Sequence, residues 1–150
     1  MDKVSLTLAT VAMASFGALV GSTVPIGASS SIGDARQVRF TICHTGGGRN
    51  CVVDGDTAWI DGVRVRVADI DAPETHPSRC PEEARLGDKA TQRLRELLSA
   101  GPFEMRTIDR DEDPFGRKLR ILVREGQSLG GVLVTEGVAR WYRGGRQPWC

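Results

Sequence analysis

Apolar and polar positions alternate most regularly in the middle of the chain. Val63, Val65 and Val67 are separated by Arg64 and Arg66, the period of a strand with one buried face and one face presenting two guanidinium groups. Val52-Val53 and the stretch Thr57 to Ile60 predict two strands before it. Asp61-Gly62, between Ile60 and Val63, is a strong two-residue hairpin signal. Phe103 to Ile108 and Lys118 to Arg124 predict two more strands, joined by a polar loop over Asp109 to Arg117. Between these β-rich parts the period changes. Leu86, Ala90, Leu94, Leu97 and Leu98 fall on one face of a helix over Glu82 to Ser99, which Gly101-Pro102 stops. Ser128 can cap a second, short helix through Val132, Leu133 and Val134 that ends at Gly137. Pro73, Pro77 and Pro81 mark the loop before the first helix. The pattern predicts a mainly β domain with α (α+β): a five-stranded OB-type barrel carrying two surface helices.

Leu6 to Gly21 is a 16-residue run without charge, short for a membrane span of about 20 residues. Lys3 precedes it, and Ile26-Gly27-Ala28 is an acceptable cleavage site. The expected organisation is a signal peptide or amino-terminal membrane anchor over 1–28, a linker over 29–36 and a folded domain over 37–150. The protein is therefore expected to be exported, to the periplasm or the medium, with any membrane association confined to the amino-terminal run.

One domain is what 150 residues allow. The net charge of +1 excludes a simple basic DNA coat and an acidic tail protein. Arginine supplies 17 of the 20 basic residues. Its planar fork suits phosphates, although codon bias produces the same excess. From Asp34 to Pro77 there are 5 basic and 7 acidic residues, and from Ser78 to Cys150 there are 14 and 11. An acidic part followed by a basic one fits a metal site beside an anion-binding surface.

Four cysteines in an exported domain suggest two disulfides, for which three pairings are possible. Cys43 and Cys51 flank the turn Thr45-Gly46-Gly47-Gly48, which could join two antiparallel segments, leaving Cys80 to pair with Cys150. So long a closure contributes about 4–5 kcal/mol in the loop-entropy model. The rival is a zinc site using Cys43, Cys51, Cys80 and His44 or His76, but no C-x-x-C spacing supports it.

The candidate chemistry lies in two acidic clusters. Asp54-Gly55-Asp56-Thr57 alone would be an ordinary turn. The second, Asp69-Ile70-Asp71-Ala72-Pro73-Glu74-Thr75, follows a strand and sets three carboxylates within six residues. That spacing is unfavourable for bare like charges and suits a hard cation such as calcium, which takes carboxylate, carbonyl and water oxygens. Arg66 and the later Gly116-Arg117 add phosphate-binding groups.

Three motifs in order, Val53-Asp54-Gly55-Asp56-Thr57, Arg66 with Asp71-Ala72-Pro73-Glu74-Thr75, and Asp113-Pro114-Phe115-Gly116-Arg117, make the chain from about Gln37 to Trp141 resemble the staphylococcal nuclease (thermonuclease) family. The resemblance implies an OB barrel and calcium-dependent hydrolysis of phosphodiester bonds in DNA and RNA, leaving 3′-phosphates. It implies Asp56, Asp71 and the Ala72 carbonyl as calcium ligands, Asp54 and Glu74 acting through bound water, and Thr57 in support. Arg66 and Arg117 would grip the phosphate, and Glu74 would position or deprotonate the attacking water. The expected substrates are DNA and RNA, single-stranded favoured, and the expected state is a monomer.

The chain departs from that family in a short loop after Glu74 and in lacking the family's long carboxy-terminal helix, whose stabilising role a Cys80–Cys150 bridge could take. The stacking tyrosines have no clear match, and Trp141, Tyr142 or Trp149 could substitute. The alternatives are a non-catalytic OB-fold module that binds nucleic acid at the cell envelope and, more weakly, an envelope-anchored structural protein. Asp109, Asp111 and Asp113 imitate an EF-hand start, but Pro114 and Arg120 stand where that loop needs Gly and Glu, so they are expected to form a solvated turn. Arg140, Trp141, Tyr142, Arg143, Arg146 and Trp149 interleave cations and aromatics as single-strand binders do; a packed, disulfide-held tail is the favoured alternative. His76 is expected to be an exposed loop residue.

Overall fold

The two-residue turn at Asp61-Gly62 sets the register of the central hairpin. Both residues have positive φ, 49° and 84°, which matches the right-handed twist of the flanking strands. Strands β3 (Thr57–Ile60) and β4 (Val63–Val67) pair antiparallel around it, Thr57 opposite Arg66 and Ile60 opposite Val63. The computed structural model describes residues 38–44 and 47–150; the expected leader and linker, and Thr45-Gly46 of the glycine turn, lie outside them. No helix among the described residues is long and apolar enough to cross a membrane.

All five expected strands form. Besides β3 and β4 these are β2 (Cys51–Asp54), β6 (Glu104–Glu112) and β7 (Lys118–Arg124). Four two-residue strands join them: β1 (Thr41–Ile42), β5 (Ile70–Asp71), β8 (Gln127–Ser128) and β9 (Arg140–Trp141). The main sheet runs β1-β2-β3-β4-β7-β6, with β8 beside β7, while β5 and β9 form a separate antiparallel pair. With helices α1 (Pro81–Ser99) and α2 (Leu129–Thr135) packed on it, this is an α+β architecture consistent with the expected OB-type fold. Among the described residues no helix follows α2.

Three expectations need correction. Strand β6 runs through Glu112, so most of the expected polar loop is strand. All nine of its residues are exposed, so a polar sequence is no obstacle there. Cross-strand charges support the pairing: Lys118 Nζ lies 2.7 Å from Asp111 and 3.0 Å from Glu112, and Arg120 2.7 Å from Asp111. The alternation in β4 is not clean either. Val63, at the hairpin tip, is 46 % exposed, whereas Arg66 is only 8 % exposed, because the strand runs inward beneath neighbouring acidic groups. Finally, β1 and β2 pair in parallel, not antiparallel.

Both disulfides form, Cys43–Cys51 and Cys80–Cys150, which removes the three thiolates that the rival zinc site would need. Helix α1 starts on Pro81, with Glu82 and Glu83 in its first turn, where acidic side chains complement the helix dipole. It buries Ala90, Leu94, Leu97 and Leu98 against Val52, Val65 and other apolar sheet residues; each fully buried aliphatic side chain contributes about 1.5–3 kcal/mol. Ser128 caps α2 by accepting the Gly131 N–H at 3.0 Å, and Gly137 follows the helix with φ 72°, as expected.

Candidate functional site

The Asp54-Gly55-Asp56-Thr57 turn joins β2 to β3 at an irregularity in their register. Asp54 accepts the backbone N–H of Asp56 at 3.1 Å, a local bond that aspartate makes readily in turns. Gly55 is needed because a Cβ there would lie 2.5 Å from the Ala90 Cβ and 2.7 Å from the Ala72 Cβ. Helix α1 and the β5 segment thus press directly on the turn. Asp56 is buried. It accepts the Thr57 hydroxyl at 2.9 Å and the Ala72 N–H at 3.3 Å, and pairs with Arg66 Nη1 at 3.2 Å. The same Nη1 donates to the carbonyls of Val67 and Ile70 at 3.2 and 3.3 Å, and the guanidinium lies 5.4 Å from the Tyr142 ring.

Asp71 stands on β5 and is also buried. Neither of its carboxylate oxygens has a hydrogen-bond partner; the Nε of Arg140 lies 3.5 Å from Oδ2, close enough for charge attraction only. Burial, then the charge of Asp56, pushes the Asp71 carboxyl up from its ordinary range, against Arg140, Arg146 and Arg66. Asp54 is pushed up to about 7, by burial first and Asp56 second. Glu74 is ion-paired with Arg146. Gly87 of α1 lets the helix approach this segment, because a Cβ there would lie 2.9 Å from the Pro73 carbonyl oxygen and 3.0 Å from that of Glu74.

Arg117 approaches from the other side. Its Nε donates to Asp113 at 2.7 Å and its Nη1 to the Thr57 hydroxyl at 3.2 Å. Thr57 therefore links the two halves, donating to Asp56 and accepting from Arg117. Asp113 is not the solvated turn residue expected from the sequence. It is buried and also accepts the backbone N–H groups of Phe115 and Arg117, at 2.9 and 3.0 Å. Burial alone would raise its carboxyl, but these donors hold it below the ordinary aspartate range.

The structure brings together Asp54, Asp56, Thr57, Arg66, Asp71, Ala72, Glu74 and Arg117. It does not bring in Asp69, the third carboxylate of the second cluster, which accepts the Ser128 hydroxyl at 2.5 Å. His76 is exposed, as expected. Sequence reasoning missed Arg140 and Arg146 as partners of Asp71 and Glu74. The only signal for them was the cation-rich tail together with a possible Cys80–Cys150 closure. Among the candidate aromatics, Tyr142 lies beside Arg66, Trp149 lies 3.5 Å beneath the Arg140 guanidinium, and Trp141 packs near Gly131.

The donor set fits a hard cation. Among the described residues no group of three or more Asp, Glu, His or Cys side chains is placed to hold a metal ion; a cation here would rest on Asp56, Asp71 and the Ala72 carbonyl, with water completing the shell. The two unpartnered, buried oxygens of Asp71 are the strongest indication, because such atoms are costly unless something satisfies them.

The sequence profile of the family described as Staphylococcal nuclease homologue matches residues 64–148, more than half of the chain. The chain belongs to this family. The matched range holds Arg66, Asp71, Glu74 and Arg117; Asp54, Asp56 and Thr57 precede it and join the site through the contacts above. Among curated proteins, a micrococcal nuclease of Shigella flexneri is 32 % identical over 105 residues, covering 61 % of this chain and 55 % of the relative. Endonuclease YncB of Bacillus subtilis (strain 168) is 33 % identical over 94 residues, covering 59 % and 44 %. The SPbeta prophage-derived endonuclease YokF of the same strain is 34 % identical over 96 residues, covering 59 % and 31 %. The chain thus spans about half the length of the first of these nuclease-family relatives and less of the other two.

Proposed function

We propose that the protein is a calcium-dependent nuclease that hydrolyses phosphodiester bonds of DNA and RNA. The observation that carries this reading is the Thr57 hydroxyl, bonded at once to Asp56 and to Arg117, which ties the acidic pocket to a phosphate-binding guanidinium. Membership of the nuclease-homologue family and the names of the three relatives support it.

In this reading Asp56, Asp71 and the Ala72 carbonyl hold the ion. When bound, calcium supplies positive charge that neutralises the phosphodiester and admits a nucleophile. Arg66 and Arg117 bind non-bridging phosphate oxygens and stabilise the negative charge that builds in the transition state. Glu74 orients a water and accepts its proton on a carboxylate oxygen. Asp54 holds the turn that presents Asp56, and Thr57 keeps Asp56 and Arg117 in mutual register. The substrate is a flexible strand, single-stranded or frayed, because the phosphate must reach partly buried guanidiniums. The protein acts as a monomer after export.

The test is cleavage of single-stranded DNA and of RNA by purified protein, with calcium or with a chelator. Hydrolysis with calcium, abolished by chelation and reduced at least about 10²-fold by Glu74→Gln, is expected. Activity that ignores both treatments would refute the assignment.

A further inference from the structure

We propose that residues 140–150 form a disulfide-pinned strap whose two arginines occupy the acidic pocket and compete with a divalent cation for it. This rests on Asp56 and Asp71 being cation ligands. The strap has three attachments. Strand β9 pairs with β5 so that Arg140 stands opposite Asp71 in register, which brings its Nε to 3.5 Å from the carboxylate. The same guanidinium stacks on Trp149 at 3.5 Å and donates through Nη2 to the carbonyls of Gln147 and Pro148, at 2.9 and 3.1 Å. It therefore folds the end of the chain back over the pocket. Cys150 then fastens that end to Cys80, at the start of α1. Between these attachments Arg146 reaches Glu74.

The pocket bounded by Asp71, Glu74, Arg146, Gln147 and Trp149 retains only about 10 Å³, roughly the space of one water. The strap is also superficial. Residues 141–148 are exposed and have no regular structure after Trp141, so beyond the β9–β5 pairing and the Tyr142 N–H to Asp69 bond its hold depends on the two arginines and the bridge, not on core packing. Arg140 lies directly against Asp71, a proposed ligand, and Arg146 pairs with the neighbouring Glu74 while its charge also reaches Asp71. A further positive charge entering the pocket must displace them or be weakened by their repulsion.

Calcium affinity of the intact chain without nucleic acid, measured by isothermal titration, tests the proposal independently of catalysis. Arg146→Gln and the double change Cys80→Ser with Cys150→Ser are each expected to lower the calcium Kd about three- to tenfold, a range that allows for Arg146 being 45 % exposed. Arg146→Lys, which keeps the charge, should stay close to the unaltered protein. If the unaltered protein binds calcium and Arg146→Gln binds it equally or more weakly, the strap does not compete and the proposal fails alone. If no variant binds calcium, the cation assignment fails and the proposal with it. Should the disulfide-free variant not fold, Arg146→Gln decides, since it alters a partly exposed side chain outside the core.

Discussion

The two guanidiniums assigned to the phosphate are held by opposite strategies. Arg66 belongs to the β4–β5 corner, where it combines the nearby carbonyls of Val67 and Ile70 with Asp56 across the hairpin and the Tyr142 ring from the far end of the domain. Arg117 belongs to the turn 113–117, in which one aspartate accepts two backbone N–H groups and the guanidinium within five residues, and its long-range bond goes to the Thr57 hydroxyl. Both arginines are similarly buried, with 10 % and 12 % of their side chains exposed. What differs is what remains when each is removed. Asp56 would keep the Thr57 hydroxyl and the Ala72 N–H but lose its counter-ion beside the carboxylates of Asp54 and Asp71, whereas Asp113 would keep its two backbone donors.

The largest expected effect separates activity from stability. Arg66→Ala and Arg117→Ala should each lower kcat/KM by on the order of 10²-fold or more. Arg66→Ala should also cost about 3–5 kcal/mol in urea unfolding, because it strands a buried charge. Arg117→Ala should cost about 1–3 kcal/mol. Equal stability losses would mean that the corner and the turn are held alike.

A smaller effect probes the corner through its backbone. Gly87→Val would push a branched side chain against the Pro73 and Glu74 carbonyls and should cost about 1–3 kcal/mol. Activity should fall with it, since Glu74 moves, while the local turn that holds Arg117 is untouched; thermal unfolding and a cleavage assay on one preparation check both.

The smallest effect probes the turn through pH. The Asp113 carboxyl is held below its ordinary range, so the stability it contributes is present above the unfolded value of about 3.9 and is lost as pH falls through the folded value. The stability difference between the unaltered protein and Asp113→Asn, about 1 kcal/mol near neutrality, should shrink below about pH 4 in thermal scans. A difference that persists at pH 3 would remove the carboxylate from the account of how Arg117 is positioned.

The corner and the turn were unequally legible in the sequence. The Asp-Gly hairpin, the strand period around Arg66 and the helical spacing of the leucines are local signals, and the corresponding elements formed where they point. The Asp54-Gly55-Asp56-Thr57 turn was visible for the same reason. Asp113 was misjudged because three alternate aspartates look solvated, and nothing local reveals that one of them points inward to accept backbone N–H groups. Asp69 was over-counted because spacing along the chain does not say which carboxylate a later helix cap will claim. Arg140 and Arg146 were visible only as part of a cation-rich tail; their pairing with Asp71 and Glu74 depends on a strand pair of two residues and on a bridge between cysteines 70 positions apart, neither of which leaves a periodic trace.

The fully exposed β6 strand bears on how the protein behaves when concentrated. It lies at the end of the main sheet with only β7 as partner, so one row of its backbone groups could template the addition of a strand from another molecule. Seven of its nine residues, Glu104, Arg106, Thr107, Asp109, Arg110, Asp111 and Glu112, are polar or charged, and only Met105 and Ile108 are apolar. Such residues are how natural sheets discourage edge-to-edge polymerisation. The charged run along β6 is thus expected to oppose edge-to-edge association of the protein.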